Sequence, residues 1–401
     1  MSYINTMQDM QPSENNSLET SHRSGYFRKT ASSYKAFFPN NLPPEPTIAL
    51  TGALQLQLSA ADRALGALNM VISVLPNPEL LTGMFIQKEA LLSSQIEGTQ
   101  SSLVDVLGAE EEHPPTKDVG EVLNYVRAAR HGLKRLKEDD LPLCLRLIKE
   151  MHHILMADVR GGSANLTPGE FRTMQNWVGG SSPANARFVP PPASELPQLL
   201  GDFEQYINLH NDMPPLVQCA LLHYQFETLH PFNDGNGRVG RLLITLYLVS
   251  KGILDQPILY LSAYLKIHQQ EYYDRLQQVR THGTYEKWIA FFLEGIEVVS
   301  QMVIDTTRRV QLLERTDIDA VVAAGAGSQG IGFIRLLLQQ PVVQVKDIEQ
   351  GLVVSFSTAN KIIALAEQLG IVQQISQGKR NRKYIYKHYV DILAEGTEIS
   401  F

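Results

Sequence analysis

Twelve consecutive residues, His230-Pro231-Phe232-Asn233-Asp234-Gly235-Asn236-Gly237-Arg238-Val239-Gly240-Arg241, constrain this chain more than any other stretch of its 401. Gly235 and Gly237 let the backbone turn tightly and come close to a ligand with no Cβ in the way. The apolar run Leu242-Leu243-Ile244-Thr245-Leu246-Tyr247-Leu248 follows at once and predicts a buried helix. The free N–H groups at its start, together with its dipole, therefore face whatever lies over Gly235–Gly237, and that environment favours an anion. Arg238 and Arg241 are three apart, on one face of the first turn, and their planar forks match phosphate oxygens. His230 can exchange a proton near neutral pH. Asp234 is a hard oxygen ligand of the kind Mg²⁺ takes beside phosphate and water. Packing alone accounts for neither the paired arginines nor the Asp-Gly-Asn-Gly run.

The string fits His-Pro-Phe-x-(Asp/Asn)-Gly-Asn-Gly-Arg-x-x-Arg at every fixed position, and so resembles the active-site motif of the Fic family. The resemblance implies a mainly α fold: a Fic helical core with a small β-hairpin flap. It also implies a protein adenylyltransferase, which moves AMP from ATP to Tyr, Thr or Ser hydroxyls and releases pyrophosphate. Carried over to this chain, His230 is the catalytic base and Asp234 the Mg²⁺ ligand. Gly235, Asn236, Gly237, Arg238 and Arg241 bind the ATP phosphates. Tyr272 and Tyr273 resemble the pair that flanks the adenine, although two tyrosines on a helix also read as ordinary packing. Gly179, Gly180, Phe188 and Val189 correspond to the flap that docks the target, here with an extended tip at Ser181–Ala186. His223 and Glu227, two turns and one turn before His230, read as structural groups.

A second pattern lies far upstream. Lys88 to Gln95 reads as helix closed by Gly98, and Ser93 and Glu97, four apart, share a face. They fit the family's inhibitory pattern (Ser/Thr)-x-x-x-Glu-(Gly/Asn). The resemblance implies that Glu97 competes with the γ-phosphate for Arg241. In some relatives the same glutamate positions water to remove AMP.

The remaining sequence sets the organisation. Residues 1–35 are rich in Ser, Asn, Gln and Thr and are expected to be a flexible N-terminal tail. Residues 36–115 form a helical region carrying the inhibitory motif, with breaks expected near Leu75–Pro78 and His113–Pro115. Residues 116–316 form the catalytic core, with helices expected at 141–156, 194–210, 216–229, 237–250, 268–281 and 284–316 and a hairpin within 176–192. The small residues of Ala323–Gly330 place a linker at 317–330. Residues 331–395 then resemble a winged helix-turn-helix: helices at 331–339, 345–350 and 357–369, and strands at 371–375 and 384–387 around the basic turn Gly378–Lys383.

A net charge of −7 argues against a nucleic-acid footprint over the whole chain, and the expected recognition helix holds one cation, Lys361. Cys144 and Cys219 read as buried thiols. No signal pattern or membrane-length apolar run is visible, so a cytoplasmic protein with no membrane contact is expected. The expected partners are protein substrates, the chain itself as a modification target, a second copy, and DNA through the C-terminal module. The rival functions are a nucleotide-sensing transcription regulator and a Fic enzyme that transfers another group.

Overall fold

The computed structural model describes residues 23–30, 32–75, 77–109, 114, 116–157, 167–209, 212–376 and 382–398. The expected break at His113 and Pro115 and the turn residues Gly378–Asn381 lie outside these, as does the tail up to residue 22.

Apolar spacing places the helices. In α1, Gly52–Ser73, the residues Leu54, Leu58, Ala61, Leu65, Leu68 and Ile72 recur at helical intervals and are buried. Helix α2, Pro78–Ile96, begins on a proline whose missing N–H costs nothing at a first turn, and it is buried on nearly every side from Leu81 on. A short α3, Leu103–Leu107, opens on a Ser102/Asp105 capping box. Helices α4, Lys117–Lys137, and α5, Leu145–Leu155, pack as a pair, and α6 covers Leu196–Ile207. At the centre are α7, Pro215–Leu229, and α8, Asn236–Ser250, both buried almost all round, as helices enclosed by other helices must be. Helices α9, Ser262–Ile267, and α10, Gln269–His282, follow.

Helix α11, Tyr285–Ala323, has 39 residues, about 58 Å at the usual rise, and α1 lies along it. It runs through most of the stretch expected as a linker. Only residues 324–326 separate it from α12, Gly327–Gln339, because Asp317 and Val321 are buried contacts and not solvated spacer. The C-terminal module continues with α13, Val345–Leu352, α14, Phe356–Gln368, and α15, Lys387–Ala394. Its small antiparallel sheet joins Val342–Gln344, Gln373–Gln374 and Lys383–Ile385 in the order first, third, second. The first of those strands and α15 had no expectation in the sequence.

The expected tail is overturned over its last part. Strand β1, Gly25–Lys29, pairs antiparallel with β2, Lys35–Pro39, in the register Phe27 to Phe37. Ala36 and Phe37 are fully buried, which supplies the apolar anchor that composition averaged over 35 residues concealed. The expected flap hairpin is reduced to a single bridge, Val178 to Phe188. Cys219 is buried, Cys144 is half-buried at the start of α5, and both are free thiols. No helix among the described residues is long and apolar enough to cross a membrane.

Candidate active site

Helix α7 ends where His230 takes the left-handed conformation (φ 47°, ψ 58°), an uncommon geometry for any residue with a Cβ. The chain then loops through Pro231–Asp234 and re-enters helix at Gly235 (φ 76°). A set of buried donors holds the turn. Asn236 clasps Phe232 in both senses: its Oδ1 accepts from the Phe232 N–H at 2.8 Å, and its Nδ2 donates to the Phe232 carbonyl at 2.8 Å. Asn176 donates to the carbonyls of His230 (3.1 Å) and Phe232 (2.8 Å). Arg172, 2% exposed, donates to the carbonyls of His230, Met174, Pro191 and Leu229 at 2.6–3.3 Å. Burial pulls its guanidinium down to about 10.

His152 of α5 stacks on Phe232 with ring centroids 3.6 Å apart. Its Nδ1 accepts from the Gly169 N–H at 2.8 Å, which leaves the proton on Nε2 to donate to the Asp234 carbonyl at 3.0 Å. Burial drives this imidazole down to about 4, so it stays a neutral strut. Neither Arg172 nor His152 was marked by the motif. Nothing in the spacing of Arg172 signals that it reaches the turn at His230. Replacing Arg172 with Met takes a donor from four carbonyls, of which that of His230 keeps Asn176. We expect a loss of roughly 3 kcal/mol in chemical unfolding, whereas unchanged stability would mean that solvent replaces it.

The loop opens on a cavity of about 550 Å³. His230, Asp234, Gly235, Asn236, Gly237 and Arg241 line it from the motif; Glu97, Gly179, Phe188, Tyr272, Tyr273 and Arg280 line it from elsewhere. Most of the sequence-expected groups thus meet in one place; Ser93, Gly180 and Val189 lie outside the lining, as does one of the phosphate ligands. Arg238 is not in the wall: its Nη1 donates to the Glu121 carboxylate at 3.3 Å and its Nη2 lies 3.7 Å from the Met156 sulfur. Asp234 presents a 56% exposed carboxylate, with Oδ1 accepting from the Gly235 N–H at 2.6 Å.

Arg241 is 2% exposed and is engaged through Nε and Nη2. Its Nε donates to Ser93 Oγ at 2.8 Å; its Nη2 donates to the Ser93 carbonyl at 2.9 Å and to Glu97 Oε1 at 2.7 Å. Burial opposes the Glu97 charge, but Arg241 overcomes that and holds the carboxyl below its ordinary range. The carboxylate lies directly on the helix start: a Cβ built on Gly237 would stand 2.3 Å from Glu97 Oε1. Only glycine leaves room there.

His230 is a half-buried ring whose Nδ1 has no hydrogen-bond partner among the described residues. Burial, then the guanidinium charges of Arg172 and Arg280, push it down to about 4, although Glu97 pulls the other way. It is therefore a neutral imidazole at pH 7. Glu227, one turn earlier, also faces the cavity with a buried, unpartnered Oε1, and burial raises it to about 7. His223 is a satisfied core group, as expected: it bonds the Gly240 carbonyl at 3.0 Å and the Tyr272 hydroxyl at 2.8 Å. Tyr272 is thereby pinned, with Tyr273 beside it at 5.1 Å between centroids.

The flap covers the other side. Gly179 and Gly180 are both left-handed (φ 69° and 72°), and Phe188 lies under the Arg280 guanidinium at 3.7 Å. Arg187 reaches Asp274 of α10 at 2.5 Å, tying the flap across the cavity. Asn185 organises the extended tip by accepting from the Ser181 and Ser182 N–H groups. Behind the flap, the Phe37 N–H of β2 donates to the Val189 carbonyl at 3.0 Å.

With this geometry in view, comparison with known proteins is direct. Residues 55–134 match the model described as Fic/DOC family N-terminal, and residues 142–248 match that described as Fic/DOC family. The chain is 34% identical over 131 residues to a protein from Culex quinquefasciatus named "Protein adenylyltransferase Fic", covering 32% of this chain and 23% of that one. It is 29% identical over 189 residues to the Aedes aegypti protein of the same name, covering 47% of this chain and 33% of the relative. The chain therefore spans about a quarter to a third of the length of these curated relatives. Among solved structures, a Fic family protein from Desulfovibrio desulfuricans G20 shares the fold over 84% of this chain and 97% of that one, with a TM-score of 0.54 at 20% identity.

Proposed function

For a chain that belongs to the Fic/DOC family, we propose the activity of an ATP-dependent protein adenylyltransferase restrained by its own Glu97. The observation that carries this reading is the opening of His230, the amino end of α8 and Arg241 onto one cavity. A triphosphate placed over Gly235–Gly237 meets free backbone N–H groups, the positive end of a fifteen-residue helix and the Arg241 fork. A Tyr, Thr or Ser hydroxyl of a target protein, aligned along the flap at Gly179, Gly180, Phe188 and Val189, gives its proton to the neutral imidazole of His230. The hydroxyl oxygen bonds to the α-phosphorus, the bond from that phosphorus to the bridging oxygen breaks, and pyrophosphate leaves. Tyr272 and Tyr273 form the wall against which we place the adenine.

Asp234 is suited to hold Mg²⁺, since a single exposed carboxylate beside phosphate oxygens matches the way that ion binds, and bound Mg²⁺ would neutralise phosphate charge. Arg238 contributes positive charge from beneath the site; to touch a phosphate it must first leave Glu121. The low position of His230 sets the pH response. Its basic form persists at every pH above about 4. Removing the Glu97 charge, which favours imidazolium, moves the group the same way. In the Glu97→Gly variant the transfer rate should change by less than about twofold between pH 7.5 and 5.5. A midpoint near 6.5 in labelled-ATP assays would show an unperturbed histidine at work instead.

Removal of AMP by the same site is a second reading, with Glu97 holding the attacking water. It is favoured by the 38% of the Glu97 side chain that still meets the cavity. Release of free AMP from labelled protein by wild type but not by Glu97→Gly would establish it. Reading DNA through α14 is disfavoured, because Val353 and Phe356 are exposed at its start and Lys361 is its one cation. A mass gain equal to AMP on target protein, rather than phosphate, tests the group transferred.

A further inference from the structure

Beyond α15 the chain does not hang free: it crosses the last turns of α2, the helix that presents Glu97. Lys88 of α2, itself buried, donates through Nζ to the Glu395 carbonyl at 2.8 Å and lies over the Tyr260 ring at 4.5 Å. Gln95, two residues before Glu97, donates to the Thr397 carbonyl at 3.0 Å. Lys266 of α9 bridges the two segments, donating to Gln95 Oε1 and to the Glu398 carbonyl, both at 2.7 Å. Arg309 of α11 fastens the start of this strap through both oxygens of Glu395, each at 2.6 Å. Thr397 is buried, and its hydroxyl and N–H both return to the Ala394 carbonyl at 2.7 and 2.9 Å, which shapes the strap against the helix.

We propose that residues Glu395–Glu398 form an intramolecular strap that holds the last turn of α2 in the inhibitory position, with Gln95 and Lys266 as the positioning residues. The inference rests on the reading of Glu97 as a brake. Other contacts also hold that turn: Arg241 to Ser93 and Glu97, Gln95 to the Ser101 carbonyl at 3.0 Å, and Gln269 to the Ile96 carbonyl at 3.1 Å. A phosphate that claims Arg241 removes the Glu97 contact. What then resists the withdrawal of Glu97 is the Gln269 contact, the Ser93 contacts and the strap, so the strap sets how readily the carboxylate yields. The C-terminal module, whose α15 leads into the strap, is mechanically joined to the catalytic site by this segment.

The test compares four full-length proteins with labelled ATP: wild type, Glu97→Gly, Lys266→Met/Arg309→Met, and the triple variant. Loss of these charged contacts should raise labelling about tenfold over wild type and speed amide exchange across residues 93–98. On the Glu97→Gly background the same pair should add nothing, because the brake it steadies is already gone. Strong labelling by Glu97→Gly with wild-type labelling by the strap variant overturns the proposal. An equal rise on both backgrounds also overturns it, since the effect would then bypass Glu97. If Glu97→Gly labels no better than wild type, the brake reading itself falls and the strap falls with it. Should melting show the double variant misfolded, Lys88→Met carries the same comparison.

Discussion

Replacing Glu97 with glycine should raise AMP incorporation by about a hundredfold, the scale on which misplacement of reacting groups costs rate. The carboxylate holds Arg241 at 2.7 Å and lies against Gly237, which on the proposed reading is the place where the terminal phosphate of a nucleotide would seat. Removing it vacates both the fork and the helix start. The fork itself should not wander, because Ser93 still accepts from Arg241 Nε and Nη2 at 2.8 and 2.9 Å. The backbone tolerates the change: Glu97 sits at φ −87°, outside the helix interior, where glycine costs little beyond chain entropy. The two forms are compared on the same target with labelled ATP. Equal labelling would reject inhibition by this contact and leave the ion pair as a structural feature.

On that released background, His230→Ala should remove transfer by a further factor of roughly 10² to 10⁴, the usual contribution of a positioned base, while nucleotide binding persists. The separation of effects follows from the structure. Arg172 and Asn176 hold this residue through its carbonyl, which alanine keeps, and Asn236 holds the turn through Phe232. The phosphate cradle should therefore survive. The left-handed conformation at residue 230 is the complication, since alanine tolerates it poorly, by about 1–2 kcal/mol. His230→Asn removes the base and suits that conformation, so the two variants together separate chemistry from folding. Transfer retained within about tenfold of the parent by a folded His230→Asn protein would remove the imidazole from the mechanism.

The site was legible because its chemistry is contiguous. The residues from His230 to Arg241 carry their own turn, helix start and charges, and Ser93 with Glu97 keeps the spacing of one helix face. The groups that hold them were not legible, because each acts across a large sequence separation on backbone atoms. Arg172 serves the carbonyl of His230, and His152 that of Asp234; neither bond leaves a trace in spacing. Arg238 shows the opposite failure: its position fits the motif, yet a buried partner more than a hundred residues away, Glu121, draws it out of the wall. The helices followed from apolar periodicity. The hairpin at Gly25–Pro39 did not, because five-residue strands within a polar segment are set by tertiary burial of Phe37. The supposed linker failed for a similar reason, since small residues can end a helix as easily as join two domains.

The flap is backed by the N-terminal hairpin, which bears on how a substrate would arrive if the flap docks it as proposed. Phe188 exchanges both its bonds with Val178, and the neighbouring carbonyl of Val189 is taken by Phe37. Both backbone groups of Phe188 and the carbonyl of Val189 are thus already used within the scaffold. If the flap docks targets as proposed, a visiting polypeptide would pair along the outer rim at Trp177 and Gly179, since Val178 already bonds Phe188. Alterations at Ala36 or Phe38, remote from any reacting atom, would consequently be felt as altered choice of client rather than as slower turnover.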